Sequence, residues 1–176
     1  MIHFLIAVDL QNDFIDGALG TKEAQSVVPA AADKIMRHEG KIIATLDTHG
    51  ADYLNSAEGR ALPVEHCIKG ATGWQINDDI KAALDEKGCI YVEKPTFGSV
   101  SLPEIIKSEA SGEPFDITLI GLCTDICVVS NALLLKANDK HGSLSTNVKE
   151  YIQKTLNEYW DYFKTVDNFE NLMAQS

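Results

Sequence analysis

Residues 2–8, IHFLIAV, form an unbroken apolar run that stops at Asp9. A strand that is apolar on both faces must be covered on both, which is the condition of a strand inside a parallel sheet. Three further runs follow: Lys41 to Leu46 before Asp47-Thr48-His49, Cys89 to Val92 before Glu93-Lys94, and Ile117 to Ile120 before Gly121. Helical segments lie between them: Ala24 to His38, Ile76 to Lys87 with a stop at Gly88, and Leu102 to Glu109. Strand and helix alternate. The expected fold is therefore α/β: a doubly wound, Rossmann-like, mostly parallel sheet with helices on both faces. Polar residues gather where the strands end, and ligands of such sheets bind outside that carboxyl edge.

A chain of 176 residues suits one domain with a sizeable core and no need of disulfides. Cys67, Cys89, Cys123 and Cys127 form no CxxC pair, which fits reduced thiols in a cytoplasm. The N-terminal apolar core is about six residues long, short of a signal sequence or a membrane span. A net charge of −11 without a basic run disfavours nucleic acid as a partner. No GxGxxG follows the first strand, so nucleotide-dependent oxidoreduction finds no support.

The stretch 115–136, FDITLIGLCTDICVVSNALLLK, reads as strand, tight turn and helix. Thr124 or Asp125 is placed to cap that helix. Cys127 then falls in its first turn, where the helix dipole and free N–H groups favour a thiolate, making it a candidate nucleophile. Taken singly, the polar candidates have plainer readings. Asp9 alone is as much a turn residue as a catalyst. Lys94 alone reads as a solvated lysine, and His49 and His66 as loop residues. Cys89 and Cys123 read as small core hydrophobes, and Cys67 as packing rather than a stray metal ligand. Glu58 stands between ligand and solvated charge. His3, His38 and His141 read as polar loop residues. Their joint order at strand ends favours function for Asp9, Asp47, His49, His66, Lys94 and Cys127.

Five ordered motifs carry a resemblance: VDLQNDF at 8–14, DTH at 47–49, EHCIKGATGWQ at 65–75, EKPTFGS at 93–99 and GLCTDICV at 121–128. Over residues 2–137 the chain resembles the isochorismatase-like cysteine hydrolases, and among them the nicotinamidase (pyrazinamidase) branch. The resemblance implies a triad of Asp9, Lys94 and Cys127. It also implies a cis peptide between Leu122 and Cys123 that aims the N–H groups of Cys123 and Cys127 into an oxyanion hole. Asp47, His49 and His66 match metal ligands, with Glu58 where some members supply a further carboxylate. That set suits a divalent metal, zinc first, with iron or manganese as alternatives. Phe14 matches an aromatic position, and Trp74 is added for its flat ring as a second wall for a planar substrate. The metal set favours hydrolysis of a small carboxamide such as nicotinamide through a thioester, with release of ammonia. The alternatives are an isochorismatase-like hydrolase of another small substrate and a catalytically silent relative that acts by binding.

Residues 1–138 correspond to the hydrolase domain on this reading, and 139–176 depart from the family's usual ending. Residues 146–173 are expected to form one long helix with an apolar stripe of Val148, Ile152, Leu156, Tyr159, Phe163 and Val166. It is expected to pack on the same domain or to form an oligomer interface. Without the family's final strand a sheet edge is left to cover, so a homo-oligomer is expected.

Overall fold

The computed structural model describes residues 1–138, and the expected C-terminal helix with its oligomer interface lies outside the described residues. Four parallel strands, β1 (Ile2–Val8), β2 (Lys41–Asp47), β3 (Cys89–Lys94) and β4 (Phe115–Gly121), lie in the order β3-β2-β1-β4. The connections carry α1 (Asn12–Ile15), α2 (Lys22–Arg37), α3 (Ala57–Ala61), α4 (Asp78–Lys87) and α5 (Leu102–Ala110). After β4 come a π-helical turn, Thr124–Val128, and α6 (Val129–Asn138). Among the described residues no helix is long and apolar enough to cross a membrane.

The two-residue period of the strands sorts the core into two layers. Phe4, Ile6 and Val8 face one way, with Ile43, and pack under Leu102 and Ile106 of α5 and Ala132 and Leu135 of α6. Leu5 and Ala7 face the other way, with Ile42 and Ala44, under Val28 and Ile35 of α2 and Ile80 and Leu84 of α4. Both faces of β1 are therefore buried, as its unbroken apolar run requires. Each fully buried Leu or Ile contributes about 1.5–3 kcal/mol. Thr21 starts α2 by accepting the Ala24 N–H, and Asn77 starts α4 by accepting that of Asp79.

The strands run further than their apolar cores. β3 takes in Glu93 and Lys94, which pair with Leu46 and Asp47. Ladder bonds hold a polar residue in a strand that hydropathy alone would have ended. The connections 10–21 and 48–73 hold α1, the 3₁₀ turn Tyr53–Asn55 and α3. The expected cap at Thr124 or Asp125 is a correction. Cys123 occupies the N-cap and no side chain caps the turn, because the Ile126 and Val128 N–H groups bond to the Cys123 carbonyl at 3.2 and 3.1 Å.

The end of β4 is held hard against the end of β1. The Leu122 N–H donates to the Val8 carbonyl at 2.9 Å, and Gly121 has φ +129° with its α-carbon against that same carbonyl. A side chain at 121 meets Val8 backbone in a conformation that L-residues rarely adopt. Gly121→Ala is expected to lower stability by more than ~1 kcal/mol. Urea unfolding with an unchanged midpoint would contradict this close approach.

Candidate active site and metal centre

The ends of β1 and β3 and the turn after β4 bring Asp9, Lys94 and Cys127 together. Asp9 directly follows β1 in a left-handed conformation (φ +49°), with its N–H bonded to the Thr45 carbonyl at 3.1 Å. The Thr45 hydroxyl donates to Asp9 Oδ1 at 2.7 Å. Asp9 Oδ2 lacks a hydrogen bond of ordinary geometry, and its neighbour is the Lys94 ammonium, an ion pair at 2.7 Å. Lys94 ends β3, which is separated from β1 by the whole of β2, about 10 Å from strand to strand. Only a long side chain spans that gap. On its way the ammonium passes 3.3 Å from Asp47 Oδ1 and donates to the Thr96 carbonyl at 3.1 Å. Lys94 is 1% exposed, so its plain reading as a solvated lysine does not apply. Cys127 is buried in the π-helical turn, and the Asp9 carboxylate and the Lys94 ammonium are the nearest charges acting on its thiol.

Burial raises the Asp9 carboxyl above its ordinary pKa, with Lys94 and the Thr45 hydroxyl pulling the other way. Burial alone would lower Lys94, but Asp9, Cys127 and Asp47 outweigh it and the ammonium is held more firmly. For Cys127, burial and then the Asp9 charge push the thiol up, with Lys94 opposing. The expected thiolate at a helix start is thereby corrected: desolvation beside a carboxylate outweighs the dipole.

Next to this group, Asp47, His49, Glu58 and His66 converge, with one donor atom from each lying within 4.8 Å of all the others. His49 Nε2 is 2.9 Å from Asp47 Oδ2, and His66 Nε2 is 3.5 Å from the same oxygen. Glu58 Oε1 lies 3.8 and 3.7 Å from the two imidazoles. His66 donates Nδ1–H to the Val64 carbonyl at 2.8 Å, which leaves the Nε2 lone pair directed at the cluster. The Tyr53 ring packs 4.7 and 4.9 Å from the two histidine rings. Burial would raise the Asp47 carboxyl, but the His66 hydrogen bond, Lys94 and His49 overcome it and lower it. Two carboxylates and two imidazole nitrogens fit a divalent cation. Asp9, Asp47 and Glu58 carry three negative charges against the single positive charge of Lys94, and one divalent ion closes that balance. Cys67 is buried and lies outside the four-donor group.

Local structure explains the convergence. His49 and the 66–69 segment are laced together, His49 N–H to the Cys67 carbonyl at 3.0 Å and Lys69 N–H to the His49 carbonyl at 2.9 Å. Asp13 Oδ2 accepts the Cys67 N–H at 2.7 Å and holds that segment from β1's side. Phe14 is buried with its ring 5.6 Å from that of His66. Trp74 is half-buried against the second core layer, its indole N–H donating to the Thr48 hydroxyl at 2.9 Å.

Sequence reasoning passed over Gln11, Asp13, Thr45 and Tyr53. Gln11 is wholly buried: its Oε1 accepts the Asp47 N–H at 2.7 Å, and its Nε2 donates to the carbonyls of Asp47 at 2.9 Å and Trp74 at 2.8 Å. The available signal was its place three residues past a buried strand, where a solvent-averse amide needs partners.

A family model of the isochorismatase domain matches residues 3–141. PncA of Bacillus subtilis, described as an uncharacterized isochorismatase family protein, is 24% identical over 139 residues, 73% of this chain and 75% of its own. The crystal structure of nicotinamidase/pyrazinamidase PncA from Bacillus subtilis aligns with TM-score 0.63 at 28% identity, covering 76% of this chain and 78% of that one. The pyrazinamidase of Pyrococcus horikoshii in complex with zinc shares the fold, with TM-score 0.62 at 22% identity over 78% of this chain and 80% of that one. The chain belongs to the isochorismatase family, on its nicotinamidase-like branch.

Gln11→Ala leaves the buried Asp47 N–H without a partner, at about 1–3 kcal/mol of stability. Because Gln11 holds Asp47 in place, zinc affinity is expected to fall by about 10–100-fold. Calorimetric zinc titration and urea unfolding check both, and wild-type values in both would refute the bracing role.

Proposed function

We propose that the chain is a cysteine amidohydrolase that releases ammonia from a small planar carboxamide, nicotinamide or a close analogue, through a thioester on Cys127. The observation that carries this reading is the buried convergence of Asp9, Lys94 and Cys127 directly beside a four-donor metal group. Held by Asp47, His49, His66 and Glu58, a divalent ion, zinc before iron or manganese, would supply a Lewis acid at the pocket wall.

The chain's own groups account for the proton traffic. Asp9 takes the Cys127 proton as sulfur attacks the carbonyl carbon, and the C=O electron pair moves to oxygen. The oxyanion meets the N–H groups of Cys123 and Cys127, at a turn where the Leu122–Cys123 peptide is cis. Asp9 then protonates the nitrogen, the C–N bond breaks, and ammonia leaves a thioester. In the second half Asp9 takes a proton from water as its oxygen attacks the same carbon. The C–S bond breaks, sulfur regains the proton, and the acid product departs. Lys94 keeps the buried Asp9 ionised between steps. Phe14 and Trp74 line the ring of the substrate.

Cys127→Ala is expected to abolish ammonia release from nicotinamide while bound metal stays at the wild-type ratio. Residual turnover in that variant, or none in the metal-loaded wild type, would sink the proposal. The pH profile follows from the two displaced carboxyl and thiol groups. Asp9 must be ionised to accept the thiol proton, and its pKa is raised. Activity is therefore lost on acidification above the ordinary aspartate value of about 3.9. The Cys127 thiol is also raised, so kcat/KM shows no gain through the usual thiol range near about 8.5. A rate that climbs through that range would point to a free thiolate instead.

A further inference from the structure

We propose that Asn131 is the positioning residue that sets Cys127 against Lys94, an inference that rests on Cys127 being the nucleophile. Asn131 lies one turn beyond Cys127 on α6 and is 0% exposed. Its Nδ2 donates to the Cys127 carbonyl at 2.8 Å, and its Oδ1 accepts the Ser99 N–H at 2.9 Å. Asparagine on a helix often bonds back to the carbonyl four residues earlier, so the first contact alone is unremarkable as a local habit. The second is not local: Ser99 lies 32 positions away in sequence, on the loop that leaves β3 immediately after Lys94.

That loop is itself tied to Lys94. The ammonium donates to the Thr96 carbonyl at 3.1 Å, and the Thr96 hydroxyl donates to the Gly98 carbonyl at 2.9 Å. Gly98 brings the loop backbone onto α6: a β-carbon there lies 2.6 Å from Leu134 Cδ1 and 3.1 Å from the Ser130 carbonyl carbon. A path thus runs from the Lys94 ammonium through residues 96–99, of which Thr96 and Phe97 are exposed and Gly98 and Ser99 buried, to the buried Asn131 amide and into the peptide of Cys127. Beyond Lys94 it uses neither Asp9 nor the residues of the metal group. No other described side chain joins this loop to the Cys127 peptide by a hydrogen bond. A carboxamide is suited to the place because it offers a donor on one side and an acceptor on the other.

The test compares Asn131→Asp and Asn131→Leu with wild type, all zinc-loaded, by nicotinamide kinetics and by the rate at which iodoacetamide alkylates Cys127, read by peptide mass. Aspartate keeps the size and the Ser99 acceptor but sets an oxygen against the Cys127 carbonyl. Leucine removes both bonds. Misplacing a nucleophile slightly is enough for about a 10–100-fold loss, so kcat and alkylation rate are expected to fall by that much in both. KM is expected to stay within roughly threefold, and zinc content at the wild-type ratio. Folded variants with wild-type kcat and alkylation, and only a lower melting temperature, would reduce Asn131 to a packing residue and overturn the proposal. If neither variant folds, Gly98→Ala reads the same link with Asn131 intact, by pushing the loop from Leu134, and must show the same loss. If the wild type does not hydrolyse nicotinamide, alkylation alone decides, so failure of the substrate reading and failure of the positioning role remain distinguishable.

Discussion

One buried ammonium holds this site together. Lys94 reaches from the end of β3 across β2 and lies 2.7 Å from Asp9 and 3.3 Å from Asp47, carboxylates at the ends of β1 and β2. Breaking such a pair by removing one partner typically costs about 3–5 kcal/mol, because the remaining charge stays buried. The charge is also what makes the neighbouring chemistry feasible. Asp9 is desolvated enough to want a proton, yet stays beside a cation that favours its ionised form. Without Lys94 the buried carboxyl would lose the charge that opposes its desolvation. Asp47 serves both neighbours, touching the ammonium with Oδ1 and the imidazoles with Oδ2.

The sheet exists in the form that lets these ends meet. Val8 pairs with Thr45 on one side and Gly121 on the other, and Asp47 pairs with Lys94. A one-residue slip in any of these ladders would turn the terminal side chain to the opposite face. Register is guarded by the apolar alternation of β1 and β2, whose successive residues belong to different core layers. Packing far from the chemistry thus fixes which way Asp9, Asp47 and Lys94 point.

The apolar runs made the sheet legible, and the polar residues at their ends made the site legible as a group. Hydropathy placed all four described strands but ended β3 before Glu93 and Lys94, since ladder pairing leaves no mark on a single strand's composition. Lys94 was the least readable member: a lysine after a strand is ordinarily solvated, and only its partners on β1 and β2 show why it is buried. Proximity to a helix start is local and favours the thiolate, whereas the burial and the Asp9 charge that push the Cys127 thiol up come from distant sequence. Gln11 and Asn131 were invisible for a related reason. Their work is to join segments that sequence spacing keeps apart, Gln11 to Asp47 and Trp74, Asn131 to Ser99 and Cys127. Trp74 has a contact that its ring chemistry does not announce: its indole N–H donates to the Thr48 hydroxyl.

The central claim is that a buried thiol is deprotonated by Asp9 only in the act of attack. Intact-mass spectrometry of acid-quenched protein during nicotinamide turnover tests it most directly. The account predicts an acyl adduct on Cys127 in the wild type and none in Asp9→Asn, whose thiol is still present. An adduct that forms at the wild-type rate in Asp9→Asn, or on a residue other than Cys127, would contradict it.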